Sequence, residues 1–325
     1  MPVPAVYHHH LGLSVVVLGA PMEIQIPVPW GYLACLTWGP VEGRPVFCLH
    51  GWMDNANTFQ KLVPLLPPDR RYIALDFSGH GQSSHLSPGS CYDYKTCLID
   101  LYRTLKVLNY RRISIIGHSM GGVIGTIFTY LFPDMVDKLV LLDSCGFFPI
   151  PLEMVLHRER KVIAGHLRRE RKLDPIVYSP EGALKRLMEA NSSLTEQSAR
   201  ILLKRGTKEV PGGVIFSRDI NASVEFSPNF TLEQCLVAMK DIRASILTVL
   251  ARDGMSAHIE NRSSVVTQYS SLVKGFKSSL KEKYQLEEVN GNHFVHLNEP
   301  ENVSDLIGTF LQEEDSSSAS LLSRL

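Results

Sequence analysis

The sequence predicts an α/β fold in which a mostly parallel central sheet carries helices on both faces and is interrupted by an inserted helical cap. Short continuous apolar runs, which are typical of strands buried on both faces, alternate with helical segments as far as Asp143. The alternation then stops, and it resumes with another buried run at 245–251. Because parallel strands are joined by crossover connections, usually helices, this pattern predicts strand–helix–strand units that cover both faces of the sheet.

The elements follow in order from a predicted hairpin over 22–40, in which strand-like segments flank a turn at Pro29, Trp30 and Gly31. The apolar runs that predict the remaining strands are 45–49, 71–76, 113–116, 138–143, 245–251 and 286–289. Helices are predicted at 59–66, 94–108, 123–132 and from Pro300 onward. In the second of these helices, leucines recur at the spacing of a single helix face.

The break in the alternation predicts how the chain is divided. Residues 147–242 are mostly helical and polar, with one short strand candidate at 213–216, and they are predicted to form the cap. The core is then built from 22–146 and 243–312, preceded by an N-terminal extension over 1–21 and followed by a flexible C-terminal tail over 313–325. A chain of 325 residues is long enough for a sizeable core with such an insertion.

Composition excludes several classes of function. Lys+Arg and Asp+Glu each number 33, so no net charge attracts nucleic acid, and no zinc-finger or basic-region pattern is present. No apolar run approaches the ~20 residues of a membrane span, so we expect no transmembrane segment. The six cysteines form no C-x-x-C pair, and Cys35, Cys48 and Cys145 are expected to be buried thiols. We expect neither a metal nor a cofactor, because no cluster has metal-ligand spacing and Gly79-His80-Gly81 is not completed to G-x-G-x-x-G.

The segment Gly117-His118-Ser119-Met120-Gly121 matches G-x-S-x-G at the junction of a predicted strand and an apolar helix. Glycines on both sides of Ser119 allow a sharp turn, which exposes the serine hydroxyl at the carboxyl edge of the sheet. The helix that follows directs its N-terminal amides towards the same point. Ser119 is therefore the predicted nucleophile.

A serine nucleophile needs a base and an acid that orients the base. Of the twelve histidines, His293 and His296 follow the last predicted strand; His293 is favoured as the base, and His296 is expected to pack beneath the final helix. The acid usually lies between nucleophile and histidine in chain order. Asp253, in the loop after 245–251, is favoured, and Asp143, at the end of an earlier strand, is the alternative.

The tetrahedral intermediate of acyl transfer needs amide donors for its oxyanion. One predicted donor is the backbone amide of Met120, the residue after the nucleophile. The other is the amide of Trp52, in the loop after the first buried strand, where Gly51 permits a close approach. His50 is expected to brace this loop.

Together, these motifs resemble the α/β-hydrolase superfamily. The motifs that carry the resemblance are Leu49-His50-Gly51-Trp52, Asp76-Phe77-Ser78-Gly79-His80-Gly81-Gln82-Ser83, Gly117-His118-Ser119-Met120-Gly121-Gly122 and Gly291-Asn292-His293. Within the superfamily, the chain is similar to the vertebrate serine hydrolase-like proteins over about 22–312. The resemblance implies a capped hydrolase with Ser119 as nucleophile and His293 as base. The loop that carries Asp253 is shorter than the family's usual acid loop, so the sequence departs from the family there.

These observations predict a serine hydrolase that cleaves a carboxylic ester, or an acyl thioester, through an acyl-enzyme on Ser119. The alternative is a non-catalytic scaffold of the same fold that binds a small molecule or a protein. A missing acid would favour the scaffold, so Asp253 discriminates between the two.

Two further segments concern partners and location. Residues 158–172 contain seven Lys/Arg and two Glu, which is compatible with a solvated outer face of a cap helix, an anion-attracting rim of the pocket or a membrane contact. The chain ends in Ser323-Arg324-Leu325, a one-step variant of the S-K-L peroxisomal signal. This tripeptide predicts a peroxisomal import receptor as partner and a peroxisomal location, with the perinuclear cytoplasm as the alternative.

Overall fold

The computed structural model of the chain describes residues 6–8, 14–16, 18–169, 175–224, 228–255 and 263–313. Its strands, in chain order, are β1 (Val6–His8), β2 (Ser14–Val16), β3 (Met22–Val28), β4 (Gly31–Trp38), β5 (Arg44–Leu49), β6 (Arg70–Leu75), β7 (Ile113–His118), β8 (Val136–Leu142), β9 (Thr207–Val210), β10 (Gly213–Phe216), β11 (Ser245–Asp253) and β12 (Tyr284–Asn292). One eight-stranded sheet has the order β12-β11-β8-β7-β5-β6-β4-β3. Strand β4 pairs antiparallel with β3 and β6, and the other neighbours in this sheet are parallel.

The helices connect and cover these strands. They are α1 (Tyr94–Val107), α2 (Met120–Leu131), α3 (Val155–Arg169), α4 (Pro180–Ala190), α5 (Glu196–Gly206), α6 (Leu232–Ala238), α7 (Ser263–Leu280), α8 (Val295–Asn298) and α9 (Glu301–Gln312). No helix in the described ranges is long and apolar enough to cross a bilayer. The predicted architecture, a mostly parallel central sheet with helices, is confirmed.

The core lies on both faces of the sheet because the side chains of each strand alternate between them. On β5, Phe47 belongs to a buried cluster that includes side chains of α1, α2 and α7. Its neighbour Cys48 belongs to a second cluster that includes side chains of α9. Cys35, Cys48 and Cys145 are buried free thiols, as the sequence predicts.

Three elements differ from the sequence predictions. The single helix predicted at 59–66 is two short 3-10 turns, Ala56–Phe59 and Val63–Leu65, the second with a proline in its first turn. Strand β10 coincides with the strand predicted at 213–216. Its antiparallel partner β9 was not predicted, because Thr207–Val210 is mostly polar and contains no apolar run. Helix α7, also not predicted, supplies the crossover between the parallel strands β11 and β12.

The inserted segment between β8 and β11 contains α3 to α6 and the β9–β10 pair. Its last part, which the predicted division assigns to the cap, is packed into the core: Cys235 and Met239 belong to the same buried cluster as Phe276 of α7. The division at residue 242 otherwise remains a prediction. The tail beyond residue 313, with Ser323-Arg324-Leu325, and part of the N-terminal extension lie outside the described residues.

An ion-pair network fastens the inserted segment to the core. Arg205 of α5 is 3% exposed, and its Nε lies 2.6 Å from Oδ2 of Asp76, at the end of β6. Its two terminal nitrogens each donate to a carboxylate oxygen of Glu23 on β3, at 2.7 Å. Asp76 also accepts hydrogen bonds from two backbone amides, those of Ala56 and Gln82. Asp76 therefore has a structural role.

Candidate active site

Ser119 stands at the sharp turn between β7 and α2. Its backbone has φ +51° and ψ −114°, which is a strained conformation for a residue with a side chain. Its amide donates to the carbonyl of Leu142 at 3.1 Å, and its carbonyl accepts from Oγ of Ser144 at 3.0 Å. A Cβ at Gly121 would lie 2.0 Å from the carbonyl oxygen of Leu49, so only glycine permits this close packing. The turn predicted from the sequence is therefore present, and the end of β8 holds it in place.

His293 follows β12 and contacts a buried carboxylate. Its Nδ1 lies 2.6 Å from Oδ2 of Asp143, whose side chain is fully buried at the end of β8. Because an ionised carboxylate only accepts hydrogen bonds, Nδ1 carries the proton and Nε2 is left as the acceptor. The His293 side chain is 26% exposed, so the acceptor nitrogen belongs to a ring that solvent and substrate can reach.

Among the described residues, His293 contacts Asp143, the alternative acid, and makes no hydrogen bond or ion pair with the favoured Asp253, so the acid assignment is corrected to Asp143. Strand β11 continues through Asp253, whose side chain is exposed. The chain then folds over Asp143: the amide of Met255 donates to its Oδ2 at 2.8 Å, and a Cβ at Gly254 would lie 2.4 Å from the same oxygen. The loop after β11 thus encloses the Asp143 carboxylate, while Asp253 itself faces solvent.

One predicted oxyanion donor lies on the loop after β5 and the other at the start of α2, and both are next to Ser119. A Cβ at Gly51 would be 3.5 Å from Cβ of Ser119, which places the loop after β5 against the nucleophile. Among the described residues, the amide of Trp52 donates no hydrogen bond, and its indole Nε1 donates to the carbonyl of Ala222 at 3.0 Å. Met120 begins α2, where helix geometry leaves the amides without intrahelical acceptors.

His118, the residue before the nucleophile, connects the two halves of the site. Its Nε2 lies 2.8 Å from the carbonyl oxygen of His293, and because a carbonyl only accepts, Nε2 must donate. Burial lowers the pKa of His118 well below its usual value, so the ring stays neutral. Sequence reasoning missed this role, since His118 occupies the freely variable position of G-x-S-x-G.

The remaining histidines of the region are structural. His296 is fully buried, and burial lowers its pKa to about 3; its Nε2 bonds to Oγ1 of Thr58 at 2.9 Å, so it packs against the first 3-10 turn rather than beneath the final helix. His50 braces its loop as expected, with Nδ1 2.8 Å from the carbonyl of Gly51. Within the described part of the chain, no three His, Cys, Asp or Glu side chains could together hold a metal ion.

Asp54, two residues after Trp52, is a buried acid that the sequence did not single out. Its Oδ1 accepts the amide of Asn55 at 2.9 Å, and its Oδ2 is buried without a hydrogen-bond partner among the described residues. Burial, as the largest influence, raises its pKa to about 7. No local pattern marks this residue, which lines a small cleft together with Leu187, Leu202 and Phe216 of the inserted segment.

Comparisons with known proteins extend this description. The model of the family described as alpha/beta hydrolase fold matches residues 44–168. Serine hydrolase-like protein 2 of Homo sapiens is 42% identical over 295 residues, which are 89% of this chain and 94% of that protein. The serine hydrolase-like protein of Danio rerio is 42% identical over 300 residues, covering 91% of this chain and 90% of the other. A hypothetical protein of Pseudomonas aeruginosa PAO1, of known structure, has a TM-score of 0.78 at 26% identity and covers 90% of this chain and 99% of its own.

Proposed function

The chain belongs to the serine hydrolase-like proteins of the α/β-hydrolase superfamily, and from this premise we propose that it cleaves carboxylic esters through an acyl-enzyme on Ser119. The observation that carries the proposal is the 2.6 Å contact between His293 Nδ1 and Asp143 Oδ2, at the same sheet edge as the strained turn of Ser119. A buried acid, a histidine whose Nε2 makes no hydrogen bond among the described residues and a half-buried serine at a sharp turn are the parts of a serine-hydrolase triad.

In the acylation step, Oγ of Ser119 attacks the ester carbonyl carbon and its proton passes to Nε2 of His293. The carbonyl π electrons move to the oxygen, and the amides of Trp52 and Met120 donate to the resulting oxyanion. When the tetrahedral intermediate collapses, the bond to the leaving group breaks, and His293 returns the proton to the departing alkoxide. Asp143 remains ionised throughout and stabilises the imidazolium.

In the deacylation step, His293 takes a proton from water while the water oxygen attacks the acyl carbon. The second tetrahedral intermediate expels Oγ of Ser119, which recovers its proton from His293, and the acid product leaves. An acyl thioester can react through the same steps, since a thiolate is a better leaving group than an alkoxide. An ester and a thioester of one acyl group can therefore be compared directly in the same assay.

The test is labelling of the purified chain with a fluorophosphonate probe, followed by mapping of the modified residue. We expect modification at Ser119, no labelling of Ser119→Ala, and loss of almost all ester hydrolysis in both Ser119→Ala and His293→Ala. The two losses should not add, because triad members act as one unit. Hydrolysis that survives in Ser119→Ala would show that Ser119 is not the nucleophile. A wild-type chain that is neither labelled nor active would leave the non-catalytic scaffold as the better description.

We also propose that Ser323-Arg324-Leu325 directs the protein to peroxisomes through an import receptor. The support is the sequence: a small, a basic and a leucine residue at the C-terminus, after the polar stretch 315–320. A fluorescent protein fused to the N-terminus leaves this tripeptide accessible, and its distribution can be compared with a peroxisomal marker. A diffuse cytoplasmic pattern, or a punctate one that persists after deletion of 323–325, would contradict the proposal.

A further inference from the structure

The small cleft beside Asp54, which we call the Asp54 cleft, contains two polar side chains that the proposed mechanism does not use. Asp54 is 8% exposed, and its Oδ2 has no hydrogen-bond partner among the described residues. Arg218, two residues after β10, also lines the cleft and is half-buried. Within the described part of the chain its guanidinium makes neither a hydrogen bond nor an ion pair, so the two side chains do not neutralise each other.

An aromatic ring holds the guanidinium of Arg218. Its Cζ lies 4.3 Å from the centre of the Phe216 ring, and stacking of this kind leaves the N–H groups able to bind a ligand. Burial and, after it, the charge of Arg186 lower the pKa of Arg218. Because a neighbouring anion offsets both influences, this side of the cleft favours a negatively charged group.

Asp54 supplies a proton donor to the same cleft. Burial, as the largest influence, raises the pKa of Asp54 to about 7, so the carboxyl is mostly protonated below that pH. The amide of Asn55, the hydroxyl of Thr58 and the charge of His293 act in the opposite direction, and the charge of Asp76 acts with burial. Since Oδ1 already accepts the amide of Asn55, Oδ2 is the oxygen that can donate to a ligand.

The Asp54 cleft lies on the acyl side of the site. The amide of Asp54 donates to the carbonyl of Gly51 at 3.2 Å, so one tight turn of less than about 7 Å separates it from the loop that packs against Ser119. The leaving group of an ester must reach His293, which follows β12, whereas the cleft lies on the loop after β5, with β11, β8 and β7 between them in the sheet. The acyl chain is therefore the part of the substrate that can extend into the cleft.

We propose that the Asp54 cleft binds a carboxylate at the far end of the acyl chain, so that the enzyme prefers half-esters of dicarboxylic acids. Arg218 and Asp54 each donate to this carboxylate, and the chain lies against the apolar walls formed by Leu187, Leu202, Leu203 and Phe216. The free volume of about 20 Å³ exceeds the ~10–15 Å³ that one water needs, so the cleft admits a small end group. The substrate preference rests on the proposed ester hydrolysis, whereas binding of the carboxylate does not.

The test compares three ethyl esters that differ only at the end of the acyl chain: monoethyl adipate, ethyl 6-hydroxyhexanoate and ethyl hexanoate. Titration of the released acid gives the rates. We expect kcat/KM to be about tenfold higher for monoethyl adipate than for ethyl hexanoate, chiefly through KM. The pairs monoethyl glutarate with ethyl pentanoate and monoethyl succinate with ethyl butanoate extend the series, and the preference should peak at one chain length.

Variants assign the preference to the two side chains. Arg218→Gln should lower the adipate-to-hexanoate ratio of kcat/KM about tenfold, and Asp54→Ala should lower it as well. Asp54→Asn, whose amide still donates, should keep the ratio. Arg103→Gln is the matched control and should also keep it, because Arg103 is another half-buried guanidinium stacked on a ring, 4.7 Å from the centre of Trp30.

The pH dependence of the same ratio tests the proton on Asp54. The wild-type ratio should fall as pH rises through about 7, because an ionised Asp54 repels the carboxylate, whereas the Asp54→Asn ratio should stay flat. Titration of His293 affects both esters and cancels in the ratio. Asp76 keeps its ion pair with Arg205, and Arg186 and Arg218 stay charged over this range.

Calorimetry with Ser119→Ala separates this inference from the proposed function. Monoethyl adipate should bind this variant without turnover and more tightly than ethyl hexanoate, and adding Arg218→Gln should abolish the difference. Such binding without hydrolysis by the wild type would support the carboxylate site and contradict only the proposed function. Equal kcat/KM for charged and uncharged esters at every chain length, or an Arg218→Gln variant that behaves like Arg103→Gln, would refute the site. A preference for ethyl 6-hydroxyhexanoate would refute it in favour of an uncharged end group.

Discussion

Two arginines on the same helix permit a sharp test of how the inserted segment is held. Arg205 and Arg200 both lie on α5, and each contacts two carboxylates at similar distances. Arg205 bonds to Asp76 and Glu23 at 2.6–2.7 Å and is 3% exposed. Arg200 bonds to Glu181 and Glu196 at 2.9–3.2 Å and is 48% exposed. The chief difference between them is burial.

We expect Arg205→Ala to lower the free energy of unfolding by about 3–5 kcal/mol, the usual cost of removing one partner of a buried ion pair. The cost arises at Asp76, which is fully buried and whose pKa burial already raises with the guanidinium in place. Glu23 is 38% exposed and adds little, since water replaces its lost partner. Arg200→Ala should cost much less than Arg205→Ala, because its partners remain in water.

The measurement is urea unfolding of both variants and of the wild type, followed by fluorescence and circular dichroism to test for a single transition. A double-mutant cycle tests whether Asp76 is the source of the cost. Asp76→Asn should lower the free energy of unfolding less in the Arg205→Ala background than in the wild type, because in that background it removes a buried charge that has lost its partner. Limited proteolysis should cut Arg205→Ala preferentially within 147–242. Equal costs for Arg205→Ala and Arg200→Ala would refute the idea that the buried network fastens the segment.

Three further predictions concern the site. Asp143→Asn should lower kcat about 10⁴-fold, because the imidazole loses its orienting acceptor, whereas exposed Asp253→Asn should leave kcat within about twofold; the reverse order in an ester assay would restore Asp253 as the acid. His118→Phe keeps a ring but cannot donate to the His293 carbonyl, so kcat should fall about tenfold with little change in KM, and unchanged kinetics would deny it a positioning role. Folding raises the pKa of Asp54 from 3.8 to about 7, so the folded chain holds a proton that the unfolded chain loses, and wild-type stability falls between these pH values as pH rises. Asp54→Asn should therefore raise the free energy of unfolding relative to wild type by up to about 4 kcal/mol at pH 8 but hardly at pH 4, and a pH-independent difference in urea unfolding would contradict the assignment.

The sheet is predictable because its strands are continuous apolar runs. A strand that is buried on both faces needs apolar residues at successive positions, so the run is visible in the sequence. Helix α7 shows the limit of this reasoning. Tyr269, Leu272, Val273 and Phe276 have the spacing of a helix face, but serines and lysines separate them and dilute the apolar pattern. Its existence follows more securely from topology, since β11 and β12 are parallel neighbours and need a crossover.

The nucleophile turn is local, whereas the acid depends on tertiary packing. Ser119 is recognisable because strand, glycines and helix are adjacent in sequence. Asp143 and Asp253 both end apolar runs, and only the folded chain shows that Asp143 is buried while Asp253 faces solvent. The deciding neighbour is Gly254, which leaves room for the Asp143 carboxylate. The role of His118 is equally hidden, because its acceptor lies 175 residues away.

The position of Asp143 also has a consequence for the order in which the site is assembled during synthesis. Ser119 and Asp143 close β7 and β8, which are neighbours in the sheet and in the chain, so one strand–helix–strand unit supplies both. His293 lies 150 residues beyond Asp143 and leaves the ribosome long after that unit. The growing chain therefore carries Ser119 and Asp143 before it has His293. On the proposed mechanism, a chain terminated before β12 lacks the base, and its serine turn would be inert.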